Sequence, residues 1–325
     1  MRAWIPALAS ALVVGCVTIP HDQARVAKAL SALGGDETRA LSDAHIEVLG
    51  DHMAKDAFTC LPPVDEVLAP PPGPERTRLI QSQQPHYGWY RGPVHYRVGA
   101  AAGKWLVTVN VVVEAEEGGV LGMPDCALRD QLEGDVVCEG IPFEEDPGVD
   151  ACPDSGRFEA PATRHNLRVL LARWSRDAEA YYNRDADRFG LPVHYDFHFS
   201  LQGDAPREPV DLVMPLWKSC GRTPYFLALR SGWSIPVLAH EMGHYLGLLD
   251  EYEPLSGIVS FYPKTPFEGS EGSRMGLSMK TTTTFYPLHH YLVLRRVHCG
   301  EPARHDGHPR VLEPRDDLAP EVLRP

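Results

Sequence analysis

The apolar residues of this chain keep two rhythms, and the places where one gives way to the other mark the expected elements. Over 21–58, Val26, Ala29, Leu30, Leu33, Leu41, Ile46, Val48 and Leu49 follow helical spacing, broken at Gly34-Gly35. That segment reads as a small helical prodomain or spacer. From Leu61 to Glu75 six prolines intervene, and their fixed φ predicts a stiff extended linker or a surface loop. From Tyr87 the period becomes two. It is clearest in Lys104-Trp105-Leu106-Val107-Thr108-Val109-Asn110-Val111-Val112-Val113-Glu114, which predicts a strand.

The following stretch is acidic and rich in Gly, Pro and Cys, so it is expected to be a solvated, disulfide-braced loop. The helical rhythm returns from Thr163 to Phe189, where Leu167, Leu170, Leu171, Trp174, Ala178, Tyr181 and Tyr182 form one stripe. Gly190-Leu191-Pro192 stops that helix, and Val193–Phe199 alternates as a strand carrying His194 and His198 on one face. Residues 210–217 and 225–229 are two further strand candidates. Ser234 is the expected N-cap of the next helix, with Pro236 tolerated in its first turn. A final helix is expected over Pro287–Val297, then a poorly ordered Pro-rich tail. Helices and strands interleaved in this way imply an α/β (α+β) fold.

Composition narrows the function. The chain has 325 residues with 31 basic against 44 acidic side chains, a net charge of −13. No long basic run exists, so a nucleic-acid partner is not expected. At the N-terminus, Arg2 precedes an apolar run from Ala3 to Val14, too short for the roughly 20 residues of a membrane span. Val13-Val14-Gly15-Cys16 resembles the lipobox of bacterial lipoproteins. That resemblance implies a signal peptide over 1–15, lipidation at Cys16, and a body tethered to the cell envelope by its acyl chains, with Val17 pointing to the outer membrane. Cys60, Cys126, Cys138, Cys152, Cys220 and Cys299 remain, and six cysteines in an exported protein suggest disulfides with fifteen possible connectivities. Cys220 with Cys299 is one attractive pairing. No CxxC pair supports a zinc finger.

The candidate chemistry lies in His240-Glu241-Met242-Gly243-His244-Tyr245-Leu246-Gly247-Leu248-Leu249-Asp250-Glu251-Tyr252. His240 and His244 are one helical turn apart, which places their Cβ atoms about 5–6 Å from each other on one face, suited to two corners of a tetrahedral zinc site. Glu241, one step round the helix, can reach a metal-held water and act as general base. Gly247 supplies the left-handed conformation that a reversal needs, and the reversal can carry Asp250 to the metal.

The order HExxHxxGxxD resembles the metzincin zinc signature, and the Asp-Glu-Tyr ending is similar to that of bacterial IgA-peptidase-like metallopeptidases. The resemblance implies a metzincin-like catalytic domain over 160–299 with a mixed twisted sheet, a long backing helix and a zinc-site helix. It implies Zn²⁺ on His240, His244 and Asp250, Glu241 as catalytic base, and Met275 as the Met-turn beneath the ligands, with Met279 competing. Tyr252 or Tyr262 would have to serve as a transition-state tyrosine, since Leu277 stands where some metzincins have one. His289, His290 and His298 are alternatives to Asp250 as ligand. The 225–229 strand is the expected edge for an extended substrate.

The expected organisation is therefore a signal peptide (1–15), a helical segment (16–58), a Pro-rich linker (59–76), a β-rich region with the acidic Cys-containing loop (77–159), the zinc peptidase domain (160–299) and a disordered tail (300–325). The expected activity is zinc-dependent endopeptidase action on a protein or peptide substrate. A zinc amidase acting on cell-wall peptides and a non-catalytic zinc-binding lipoprotein are the alternatives. Oligomeric state is not legible.

Overall fold

The computed structural model of the chain describes residues 62–73, 78–86, 90–141, 156–219, 228–248, 250–251, 272–276, 280–298 and 310–311. The expected signal peptide, Cys16, the 16–58 segment, Cys60, Cys152 and the Cys220–Cys299 pairing lie outside these residues, as do Tyr252, Tyr262, Leu277 and Met279. In chain order come α1 (Val64–Val67), β1 (Arg78–His86), β2 (Tyr90–Ala101), β3 (Lys104–Glu114), β4 (Val120–Gly122), β5 (Val137–Glu139) and β6 (Arg157–Pro161). Then follow α2 (Arg164–Arg188), β7 (Val193–Leu201), β8 (Leu212–Trp217), β9 (Leu229–Arg230), α3 (Ile235–Tyr245), α4 (Pro287–His298) and β10 (Arg310–Val311). Among the described residues no helix is long and apolar enough to cross a membrane.

The fold is mixed α and β around a mixed sheet. Strands β1, β2 and β3 are antiparallel, whereas β7 and β8 both run parallel to β3. The β2–β3 hairpin turns on Ala102 and Gly103, both at positive φ, the backbone that a two-residue loop needs to follow the twist of its strands. Strand β3 is central and covered on both sides. Trp105, Val107, Val109, Val111 and Val113 are fully buried on one face, and Thr108 and Asn110 are buried on the other.

The expected boundary between a β-rich region ending at 159 and a domain starting at 160 falls between two paired strands of this sheet. Strand β3 pairs with β7 over Trp105–Val113, across the whole intervening helix. Parallel neighbours require a crossover, so the strand before α2 and the strand after it belong to one sheet. Composition changes between them because the connection carries the acidic loop.

Part of that loop is itself ordered. Strands β4, β6 and β5 form a second, three-stranded antiparallel sheet with Met123, Phe158 and Ala160 as its apolar cluster. Cys126 and Cys138 are paired as a disulfide, with Cα atoms 5.8 Å apart.

Helix α2 starts at Thr163, whose side chain accepts the Asn166 N–H at 3.1 Å. It ends on Gly190 at φ 65°, with the Leu191 N–H reaching Ala186 O and the Gly190 N–H reaching Asp187 O, a Schellman pattern. The helix also covers the free edge of β7. Asn183, Glu179 and Ser175, successive turns on one helix face, accept the N–H groups of Tyr195, Phe197 and Phe199. An edge that would otherwise be open to another strand is closed by side chains. The sequence shows the helix and the strand but not this cover.

Three further expected segments are described in part. Described residues of the Pro-rich linker are packed rather than free: Val67 is fully buried, Ala69 O accepts the Trp105 indole N–H, and Pro62 O accepts the Tyr291 hydroxyl. Apolar burial and paired carbonyls outweigh the stiffness of the prolines. Within the tail, Arg310–Val311 pairs parallel with Leu212–Val213 of β8, so at least these two residues are in the sheet. Of the 225–229 strand only Leu229 is in a described strand, which continues to Arg230 and pairs parallel with Leu216 and Trp217; 225–227 lie outside the described residues.

Candidate metal centre

Helix α3 carries the motif and is buried almost all round. Ile235 through His240 and Met242 through Tyr245 are buried, and only Glu241 is half-buried. A helix apolar on every side sits in the core, so its few polar groups must find partners there. Ser234 takes the N-cap position, but its side chain makes no capping hydrogen bond. Pro236 in the first turn has no N–H to offer it.

The helix is tied to its neighbours on both sides. The Tyr182 hydroxyl of α2 donates to Ala239 O at 2.5 Å. At the C-terminal end Gly247 adopts φ 85°, its N–H reaching His244 O and the Leu248 N–H reaching Gly243 O, again a Schellman pattern. The chain therefore turns back beside the helix, and Asp250 arrives next to the two histidines.

His240 and His244 are 1 % and 3 % exposed, with ring centroids 5.0 Å apart and nearly perpendicular planes. Each ring is held through Nδ1: that of His240 donates to Arg274 O at 2.9 Å and that of His244 to Leu248 O at 2.9 Å. Both Nε2 atoms consequently face the same point. Asp250 Oδ1 lies 3.0 Å from His240 Nε2 and 3.3 Å from His244 Nε2. Among the described residues this is the group of His, Cys, Asp or Glu side chains close enough to hold a metal, its ligand atoms within 4.8 Å of one another.

His244 and Asp250 shift each other's ionisation. Burial works against charge on His244, but the Asp250 carboxylate outweighs it and pushes the imidazole up to about 9. Burial would likewise raise Asp250, yet the two imidazoles hold it well below the usual carboxylate range. Two imidazoles fixed through Nδ1 and one carboxylate form a three-donor set that suits zinc.

Met275 is fully buried against Gly243, the helical residue between the two histidines. His289, His290 and His298 do not join the cluster. His289 bonds Glu251, His290 Nδ1 meets the Tyr195 hydroxyl, and His298 faces Glu66 at 3.8 Å. His194 is exposed and His198 half-buried on β7, and among the described residues they belong to no metal-holding group.

Two supports were not legible in the sequence. Arg274, fully buried, donates to Asp185 Oδ2 of α2 at 2.8 Å and to Thr283 O, which fixes the carbonyl that orients His240. Glu251 is 1 % exposed and bonds His289 of α4. Each pair joins residues far apart in the chain, and no periodicity announces such partners.

No family model, curated protein or solved structure matches this chain.

Proposed function

We propose that this chain is a zinc-dependent endopeptidase of metzincin type. The observation that carries the reading is the convergence of His240 Nε2, His244 Nε2 and Asp250 Oδ1 in a buried cluster, with Glu241 as the half-buried residue of the same helix. Zinc on these atoms supplies Lewis-acid polarisation of a scissile carbonyl and a bound water acidified toward neutrality. His240, His244 and Asp250 would hold the metal, while Met275 forms an apolar floor under the helix.

Glu241 accepts the proton of the attacking water and delivers it to the leaving amine nitrogen. The carbonyls of Arg274 and Leu248 keep both imidazoles in the tautomer whose Nε2 lone pair is available. Asp250 adds a negative charge to the donor set, which would make a bound zinc a slightly weaker Lewis acid than three imidazoles would. Around this chemistry we place a lipid anchor at Cys16 and a location in a bacterial cell envelope, from the Val13–Cys16 lipobox resemblance alone.

The deciding experiment maps peptides released from a denatured protein mixture by mass spectrometry, comparing wild type with Glu241→Ala. New termini found only with wild type support the peptidase. None, from protein shown to contain zinc, would favour the amidase or a non-catalytic zinc protein.

A further inference from the structure

We propose that Glu251 and His289 are a positioning pair that holds the third ligand, Asp250, in place; this rests on the metal reading above. A carboxylate and an imidazole, each 1 % exposed, lie outside the ligand set, yet Glu251 directly follows Asp250 in the chain. Burying such groups is costly unless they are bonded to each other. Glu251 Oε1 lies 2.6 Å from His289 Nε2, and His289 Nδ1 accepts the Tyr286 N–H at 2.8 Å. The ring proton is thus on Nε2, facing the carboxylate.

The pair is linked to the 273–275 turn by hydrogen bonds and one longer polar contact. The Glu251 N–H donates to Met275 O at 2.9 Å, the Met275 N–H to Ser273 Oγ at 3.2 Å, and Ser273 Oγ lies 3.5 Å from His289 Nε2. Glu251 is gripped through both main chain and side chain, so the peptide leaving Asp250 has one allowed position. The same 273–275 turn holds His240 through Arg274 O and supports Gly243 through Met275. Ligands from two segments are therefore referred to one short turn, and Glu251 with His289 fixes that turn to α4.

The test uses the full chain stripped of metal, titrated with zinc against a competing chelator and with cobalt(II) for its visible spectrum. Glu251→Ala and His289→Ala each lower zinc affinity about 10–100-fold, the effect expected of outer-sphere supports. The double variant loses no more than the weaker-binding single, and both change the intensity of the cobalt bands. Glu251→Gln, whose amide oxygen still accepts from Nε2–H, retains affinity between wild type and Glu251→Ala.

If Glu251→Ala fails to fold, His289→Phe carries the same test. It removes the bond but keeps a ring against Phe285, whose centroid is 4.8 Å from that of His289. Unchanged affinity and cobalt spectrum in folded variants, with only a lower melting temperature of the metal-free protein, would overturn the proposal. Wild type that binds neither metal overturns the metal reading instead.

Discussion

Gly243 and Met275 are packed so closely that a β-carbon on Gly243 would overlap the Met275 sulfur and come within 3.0 Å of its methyl group. The glycine lies between the two histidines, so its bare face lets the turn bearing Met275 lie directly under them. Gly243→Ala gains about 1 kcal/mol of helix propensity but overpacks a sealed site at about 1–3 kcal/mol. Net destabilisation of up to about 2 kcal/mol is expected, with weakened zinc binding. Met275→Ala in the same chain relieves the overlap, so denaturant melts of the two singles and the double should be non-additive.

Gly247 turns the chain back at φ 85°, and a β-carbon there would meet the Arg296 guanidinium at 2.8 Å. Gly247→Ala is expected to lose about 1–2 kcal/mol from left-handed backbone strain alone, more with the crowding. Thermal unfolding of the metal-free protein reads this loss. Zinc affinity should fall with it, because the reversal delivers Asp250.

Zinc that binds only the folded protein must stabilise it. At a free concentration 100 times its Kd the gain is about 2.7 kcal/mol, reversed by a chelator. Asp250→Ala should abolish most of that gain. Differential scanning calorimetry with and without zinc measures it, and equal gains in wild type and variant would remove Asp250 from the ligand set.

His290 is fully buried, and burial pushes its pKa down from 6.5 to about 3. The unfolded chain therefore binds more protons than the folded one between these values. Stability is full above about 6.5 and falls as the pH drops toward 3. Urea midpoints across that window should show a steeper acid decline in wild type than in His290→Gln, which cannot titrate.

Asp185 and Arg274 form a buried ion pair, each side chain 1 % exposed. Asp185→Ala leaves the guanidinium without its carboxylate in the core and should cost about 3–5 kcal/mol. Chemical denaturation would show it. A loss below 1 kcal/mol would mean that Tyr181, whose ring lies 4.5 Å under the guanidinium, suffices to hold Arg274.

Local chemistry was legible in the residues themselves. The span of α2 with its Gly190 stop, the full extent of β3, the left-handed Gly247 and the neighbouring histidines of α3 each follow from spacing within a few turns or a pair of strands. The candidate ligands were readable for the same reason, since a helical turn and one reversal bring His240, His244 and Asp250 together.

Relations across long separations could not be read in this way. The pairing of β3 with β7, the helix-covered edge of β7, the packing of the Pro-rich segment, and the Glu251–His289 and Arg274–Asp185 pairs all join residues that share no local pattern. Backbone conformation and helical spacing act over neighbours and are encoded where they act. A buried polar pair acquires its partner only when the core closes and water is excluded, so tertiary structure alone decided what surrounds the motif.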